Sequence, residues 1–186
     1  MAEYSVRLRQ LVMDPAVLQR LPEPVVLASG ELSRDFIDAK LAVDDADDLE
    51  MVGAAMAAAA RQAGITFDAV GGLVLGAVPF TFAVAQATRS RWFLIRKEPK
   101  GRGTNRWAEG ARIGSGTRVM LVDDVITTGG SIQLAYDRVR MTGAEVVFAT
   151  TLVDRGDQAA AFFQDAGVPY VPMLTYRDLG IEPIGS

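Results

Sequence analysis

Asp123 and Asp124 stand side by side after a four-residue apolar run, Val119-Met120-Leu121-Val122. They precede Val125-Ile126-Thr127-Thr128-Gly129-Gly130-Ser131. Two adjacent carboxylates repel each other, so hydroxyl donors or a cation must justify them. The Thr/Gly/Ser run leads into a helix-like stretch, Ile132 to Val139. A Gly-rich turn that opens a helix offers free N–H groups and the positive end of the helix dipole, and both suit a phosphate. Hydroxyl-binding carboxylates beside a phosphate cradle are the chemistry of a sugar phosphate. A purely structural acid pair is the alternative, and it leaves the repulsion without an offset.

The elements that must position these residues follow from the pattern around them. An unbroken apolar run reads as a strand buried on both faces, Val119 to Val122, with a helix at Ser131 to Thr142. The same alternation predicts a strand over Phe67 to Leu75, a helix over Pro79 to Ser90 and a strand over Trp92 to Ile95. It continues as a strand over Glu145 to Leu152, a helix over Asp157 to Ala166, a strand over Val168 to Leu174 and a short helix over Thr175 to Leu179. This βαβ order predicts an α/β fold: a mostly parallel twisted sheet with helices on both faces. Ligands bind such sheets at the carboxyl ends of the strands. Three loops should therefore converge there: Gly72 to Pro79, Arg96 to Gly110, and Asp123 to Ser131. The first has glycines that let backbone approach an anion, although a tight turn with no ligand is an equal reading. The second carries Arg96, Lys97, Lys100, Arg102 and Arg106, a cluster that could neutralise pyrophosphate. Lys97 to Gly116 is long, polar and Gly-rich, which marks a functional lid or a hairpin; a solvated surface loop is the plainer alternative.

Toward the N-terminus, apolar spacing predicts a helix between Tyr4 and Leu21, with Asp14-Pro15 as a break or a second helix start and Pro22 and Pro24 as its bound. Val25 to Leu27 and Phe36 to Asp38 read as a small hairpin. Asp44, Asp45, Asp47, Asp48 and Glu50 precede an Ala-rich helix, Leu49 to Ala63. They read as acidic capping rather than a metal site, because ligands spread around a helix start do not converge.

The chain has 186 residues, 49% hydrophobic, which fits one domain with a sizeable core and excludes wholesale disorder. The net charge of −4 argues against a broad nucleic-acid-binding face. No Cys and no His are present, which removes thiol and imidazole catalysis, disulfides and the usual zinc ligands. The lack of Cys fits a cytoplasmic location. Met1 to Gln10 carries charges throughout, so no signal peptide is expected. The uncharged run Ala69 to Thr88 is interrupted by Gly71, Gly72, Gly76 and Pro79, so a strand, loop and helix explain it better than a membrane span. No G-x-x-x-x-G-K-[ST] is present, and Gly114-Ser115-Gly116 precedes a strand, so neither a P-loop nor a dinucleotide fingerprint is read.

Val119 to Ser131 resembles the motif by which type I phosphoribosyltransferases bind 5-phospho-α-D-ribosyl 1-diphosphate (PRPP). Four further segments resemble the orotate phosphoribosyltransferase family. Leu27-Ala28-Ser29-Gly30 with Phe36 is similar to its N-terminal substrate segment, and Gly71 to Ala77 to its pyrophosphate loop. Arg96-Lys97-Glu98-Pro99-Lys100 is similar to the start of its mobile catalytic loop, and Val153-Asp154-Arg155 to the segment whose Arg meets the orotate carboxylate. The resemblance spans about residues 25 to 180.

The resemblance implies one phosphoribosyltransferase domain over 1–186, with an N-terminal helix and hood over 1–43 and a lid over 97–116. It implies transfer of phosphoribosyl from PRPP to orotate, giving orotidine 5′-phosphate and pyrophosphate. Asp123 and Asp124 would bind the ribose hydroxyls and act with Lys100 in catalysis. Thr127, Thr128, Gly129, Gly130 and Ser131 would hold the 5-phosphate, and Val125 and Ile126 would belong to the same PRPP-binding run. Arg96, Lys97, Lys100 and Arg102 would bind pyrophosphate, partly across a homodimer interface, and Gly72, Leu75, Gly76 and Ala77 would form the pyrophosphate loop. Ser29, Phe36, Thr127 and Arg155 would hold orotate. Mg²⁺ would be carried mainly by PRPP and water. No nucleic acid and no membrane are implied as partners.

The chain departs from the family at three points. Arg102 stands where the loop usually has a His, Ala28 where a Lys is common, and the pyrophosphate loop lacks a Lys. An Arg keeps the charge but exchanges no proton near neutral pH. Two other readings stay open on the residues alone: the same transfer to another base, and a PRPP-sensing regulator without catalysis.

Overall fold

The computed structural model describes residues 2–27, 29–98 and 107–185. A six-stranded sheet forms the body: β3 (Ala69–Leu73), β4 (Arg91–Ile95), β5 (Ala108–Gly110), β6 (Arg118–Ile126), β7 (Glu145–Asp154) and β8 (Leu174–Thr175). Across the sheet they run β5-β4-β3-β6-β7-β8. Every pair is parallel except β4 with β5, which closes one edge as an antiparallel hairpin. The hairpin alternative for Lys97 to Gly116 is therefore met in part, by β5.

Helices cover both faces. Met120 and Val122 of β6 point into one core with Leu8 and Val12 of α1 (Ala2–Val12), Val52 and Met56 of α2 (Ala46–Gln62) and Phe80 and Val84 of α3 (Val78–Thr88). Val119 and Leu121 point the other way, into a core with Ile132, Ala135 and Val139 of α4 (Gly130–Met141) and Ala159 and Phe163 of α5 (Gln158–Asp165). Alternate residues of a strand face opposite sides, so a strand buried twice must be apolar throughout. The α2–α3 contact is close: a Cβ on Gly53 would lie 2.6 Å from the Ala83 backbone. Among the described residues no helix is long and apolar enough to cross a membrane.

The N-terminal segment differs from the sequence reading. The helix stops at Val12, and Val17-Leu18 begins a strand instead: β1 (Leu18–Val26) pairs antiparallel with β2 (Leu32–Ile37). Pro22 and Pro24 do not bound a helix; they lie within β1, where the register shifts between Arg20 and Val25. Proline survives in a strand at an edge or a bulge, and a two-stranded hairpin is all edge. The helix α1 packs into the body, so the hood is the β1–β2 hairpin alone. Asp45 caps α2, its side chain accepting from the Asp47 N–H, which is the capping reading of the acidic run.

Several boundaries move. β6 does not end at Val122 but runs through both acids to Ile126, because β7 is long enough to keep pairing with it: Asp123 lies opposite Thr151 and Val125 opposite Val153. The last strand is two residues rather than Val168 to Leu174, with Tyr170 making a single bridge to Ala149. The final short helix is α6 (Tyr176–Leu179), capped reciprocally by Thr175 and Asp178.

Candidate active site

From β3 the chain passes through α3 to β4 on one side, and from β6 through α4 to β7 on the other. The carboxyl ends of β3 and β6 are neighbours from which the chain departs in opposite directions, and such a switch point opens a crevice. Two adjoining hollows occupy it, of about 320 and 430 Å³, sharing Leu73, Lys97, Asp123, Val125, Thr127 and Ser131 in their walls. A hollow of about 490 Å³ between β5 and α4 shares no lining residue with this cleft and contains no paired carboxylates.

The first hollow adds Leu75, Gly76, Asp124, Phe36, Lys40 and Arg155. The second adds Ser29 and the loop Ile126 to Gly130. That loop enters α4 through Gly129, which has φ 79°, a conformation glycine adopts without strain. The first-turn N–H groups of α4 have no acceptor within the helix, so an anion in the second hollow meets donors and the positive dipole end together.

Asp123 is 4% exposed. Burial, and then the charge of Asp124, push its carboxyl well above the ordinary carboxylate range; the Asp124 N–H donated to it at 3.0 Å and the nearby Lys97 ammonium pull the other way. Asp124 is half-buried, and its carbonyl accepts from the Thr151 hydroxyl at 2.9 Å. The β3 loop presses on the pair: a Cβ on Gly76 would lie 2.5 Å from the Asp124 carboxylate. The Val74–Leu75 peptide bond in this loop is cis.

Arg155 is 1% exposed, on the segment after β7. Its N–H donates to the Ile126 carbonyl at 2.8 Å, and its own carbonyl accepts from Ile184 at 2.7 Å. Its guanidinium reaches the hood, where Nη1 donates to the Asp35 carbonyl at 2.8 Å and Nη2 to Ser33 Oγ at 3.0 Å. Nε is buried without a partner among the described residues. Burial lowers the Arg155 pKa, and the charge of Asp35 partly restores it. A hairpin this small is marginal by itself; these two bonds tie it to the body together with Leu18 and Ile37, which pack against the first core. Asp154, next in line, accepts from the Tyr170 hydroxyl at 2.8 Å and the Gly156 N–H at 3.1 Å; burial raises its pKa and that of Tyr170.

Most of the residues singled out from the sequence line one cleft, but not all. Phe36 and Arg155 share the first hollow, whereas Ser29 lies on the second, with the Thr/Gly loop. Leu75 and Gly76 line the first hollow; Gly72 and Ala77 are buried behind it. Lys97 lines both hollows, but Arg96 lines neither, its Nε lying 3.1 Å from Glu109. Lys100 and Arg102 lie outside the described residues, as does Arg106. Lys40 was missed. It stands in the wall of the first hollow with its ammonium 2.5 Å from Asp38, and the only trace in the sequence is an acid and a base two apart after β2.

The phosphoribosyl transferase domain family matches residues 41–162. An orotate phosphoribosyltransferase from Streptomyces coelicolor is 36% identical over 188 residues, covering 98% of this chain and 100% of that protein. Among solved structures, a phosphoribosyltransferase from Corynebacterium diphtheriae superposes with a TM-score of 0.79 at 31% identity, covering 96% of this chain and 99% of that one. The Mycobacterium tuberculosis orotate phosphoribosyltransferase in complex with PRPP gives a TM-score of 0.72 at 30% identity, covering 97% and 98%.

Proposed function

The chain belongs to the phosphoribosyl transferase family, in its orotate phosphoribosyltransferase branch, and on that footing we infer its reaction and the part each residue plays. It is a pentosyltransferase that moves the phosphoribosyl group of PRPP to orotate, a step of pyrimidine nucleotide formation. A ring nitrogen of orotate forms a bond to the ribose anomeric carbon as the bond from that carbon to pyrophosphate breaks. The observation that carries this reading is the pairing, in one cleft, of Asp123 and Asp124 with the anion cradle that opens α4.

Departure of pyrophosphate leaves an oxocarbenium-like sugar, as in glycoside cleavage. Charge placement therefore does most of the work. Asp123 and Asp124 hold the ribose hydroxyls and set negative charge against the sugar. Thr127 to Ser131 hold the 5-phosphate at the α4 start. Lys97 draws the pyrophosphate, and Arg96, Lys100 and Arg102 complete that duty, partly from a partner subunit in a homodimer. Phe36 packs on the pyrimidine, Thr127 borders it, and Arg155 answers its carboxylate. The whole of 1–186 acts as one domain, in the cytoplasm.

Mg²⁺ fits this arrangement. Asp123 and Asp124 would offer carboxylate oxygens beside the cleft, and the ion would keep several of its waters. When bound, it supplies charge neutralisation on the pyrophosphate.

The test follows base consumption with PRPP and Mg²⁺ against a panel of orotate, uracil, adenine and guanine. Orotate alone should be consumed, and chelation of the metal should stop it. Consumption of a neutral base in preference to orotate would overturn the assignment, and failure with every base would favour a PRPP-binding regulator.

Gly76 offers a sharper check on the geometry. In Gly76→Ala the new methyl and the Asp124 carboxylate cannot both keep their places. A displacement of about 1 Å at a reacting centre can cost on the order of 10²-fold, so kcat/KM should fall by roughly that factor while the melting temperature changes little. Wild-type kcat/KM in this variant would show that Asp124 has no exacting position.

A further inference from the structure

Lys97 has an exposed place and an exacting task. It lies two residues beyond the end of β4, yet it lines both hollows, and its charge acts on Asp123. The last rung of the β4–β5 hairpin beside it is the Arg96 N–H donated to the Trp107 carbonyl at 2.9 Å. Arg138 takes over from there. Its Nη1 donates to the Arg96 carbonyl at 2.8 Å and its Nη2 to the Lys97 carbonyl at 3.0 Å. The guanidinium also lies over the Trp107 ring, 3.2 Å from its centroid.

One planar fork thus bonds two successive carbonyls and stacks on the residue that returns the chain to β5. A guanidinium does this in one rigid plane; an ammonium, a compact charge on a flexible stem with no planar face to stack, holds such a geometry less firmly. Arg138 sits on α4, eight residues after Gly130, or about 12 Å along the helix. The helix that begins at the phosphate cradle therefore also fixes the backbone of the cleft's lysine, and the two ends of PRPP are gauged against one rigid rod.

We propose that Arg138 is a positioning residue for PRPP: by holding the Arg96 and Lys97 carbonyls against Trp107 it sets the Lys97 ammonium over the cleft. This rests on the reading of Lys97 as a pyrophosphate ligand. Arg138 lines neither hollow of the cleft, and nothing in the sequence motif marks it.

The test measures Mg²⁺–PRPP binding by calorimetry, without any base, for wild type, Arg138→Ala, Arg138→Lys, Lys97→Ala and the Lys97→Ala/Arg138→Ala pair. Losing a charge-assisted anchor of this kind should weaken PRPP about tenfold in Arg138→Ala. Arg138→Lys keeps the charge and should recover less than half of the loss on a logarithmic scale; it also carries the test if the alanine variant fails to fold. The double variant should bind no more weakly than Lys97→Ala. In turnover, KM for PRPP should rise while KM for orotate stays within about twofold; a general loss of structure would move both. Wild-type affinity in Arg138→Ala, or losses that multiply in the double variant, overturns the proposal and leaves the Lys97 reading standing. Wild-type affinity in Lys97→Ala removes the Lys97 reading itself, and the proposal with it.

Discussion

Asp123→Asn should melt at a higher temperature than the wild type near neutral pH, and should turn over at least about 10²-fold more slowly. Both effects have one cause. Burial and the neighbouring Asp124 hold the Asp123 carboxyl well above its ordinary range, so the folded state binds that proton more tightly than the unfolded chain does. For such a group the stabilising contribution is complete below the unfolded pKa and is lost as pH rises through the folded one. At neutral pH this buried carboxyl is thus a standing cost to the empty fold. Asn removes the charge and keeps an oxygen to accept the Asp124 N–H. A gain of about 1 kcal/mol would appear as a rise of roughly 2–4 °C in a chain of this size. The gap should close in acid, where the wild-type carboxyl is protonated. Adding Mg²⁺ and PRPP should reverse the order, because only the wild type gains fully from the ligand. Identical melting of the two proteins at neutral pH, or full turnover by the variant, would refute the account.

Arg155→Ala should abolish use of orotate while leaving PRPP binding nearly intact. Removing one partner of a buried charge pair costs about 2–5 kcal/mol, or roughly 30- to 5,000-fold in kcat/KM. The same change deprives the Asp35 carbonyl and Ser33 Oγ of their donor, so a second loss in stability accompanies the first. The two can be separated. A Ser33→Ala variant loses one hood bond without touching the base, so its effect on orotate KM measures how much the hood contributes. Kinetics at saturating PRPP and a calorimetric PRPP titration together decide the matter. If Arg155→Ala consumed orotate at the wild-type rate, the base would have to be recognised elsewhere in the first hollow, and Lys40 would be the cation to examine next.

The site's centre was legible in the sequence because its logic is local. Asp123, Asp124 and the Thr127–Ser131 run lie within nine residues, and an apolar strand and a helix bracket them. The sheet was legible for a similar reason, since a doubly buried strand must be apolar on both faces. What depends on distant partners was not. The extension of β6 through the acids comes from the length of β7, which no feature of β6 announces. The strand at Leu18 resembled a continuing helix, because three-residue apolar spacing survives across Asp14-Pro15 and only pairing with β2 decides. Lys40 and Arg138 read as ordinary surface charges; their roles come from the hollow beside one and the two carbonyls facing the other. The sequence marked Arg155 as a free hand for the substrate, whereas the fold has it already holding the hood.

That last contact reaches across 120 and 122 residues of chain. Descent with modification meets it as a lock with two keys. A lineage drifting toward a neutral base gains nothing by replacing Arg155 alone, because the hood is left with an unanswered carbonyl and hydroxyl. It gains nothing by altering Ser33 first, because the guanidinium is then the buried group short of a partner. The tolerated route is a paired change, one near the end of β7 and one in β2. Among relatives of this chain, residues at 155 and at 33 to 35 should be inherited together, and the taste for orotate should be among the most slowly lost of its traits.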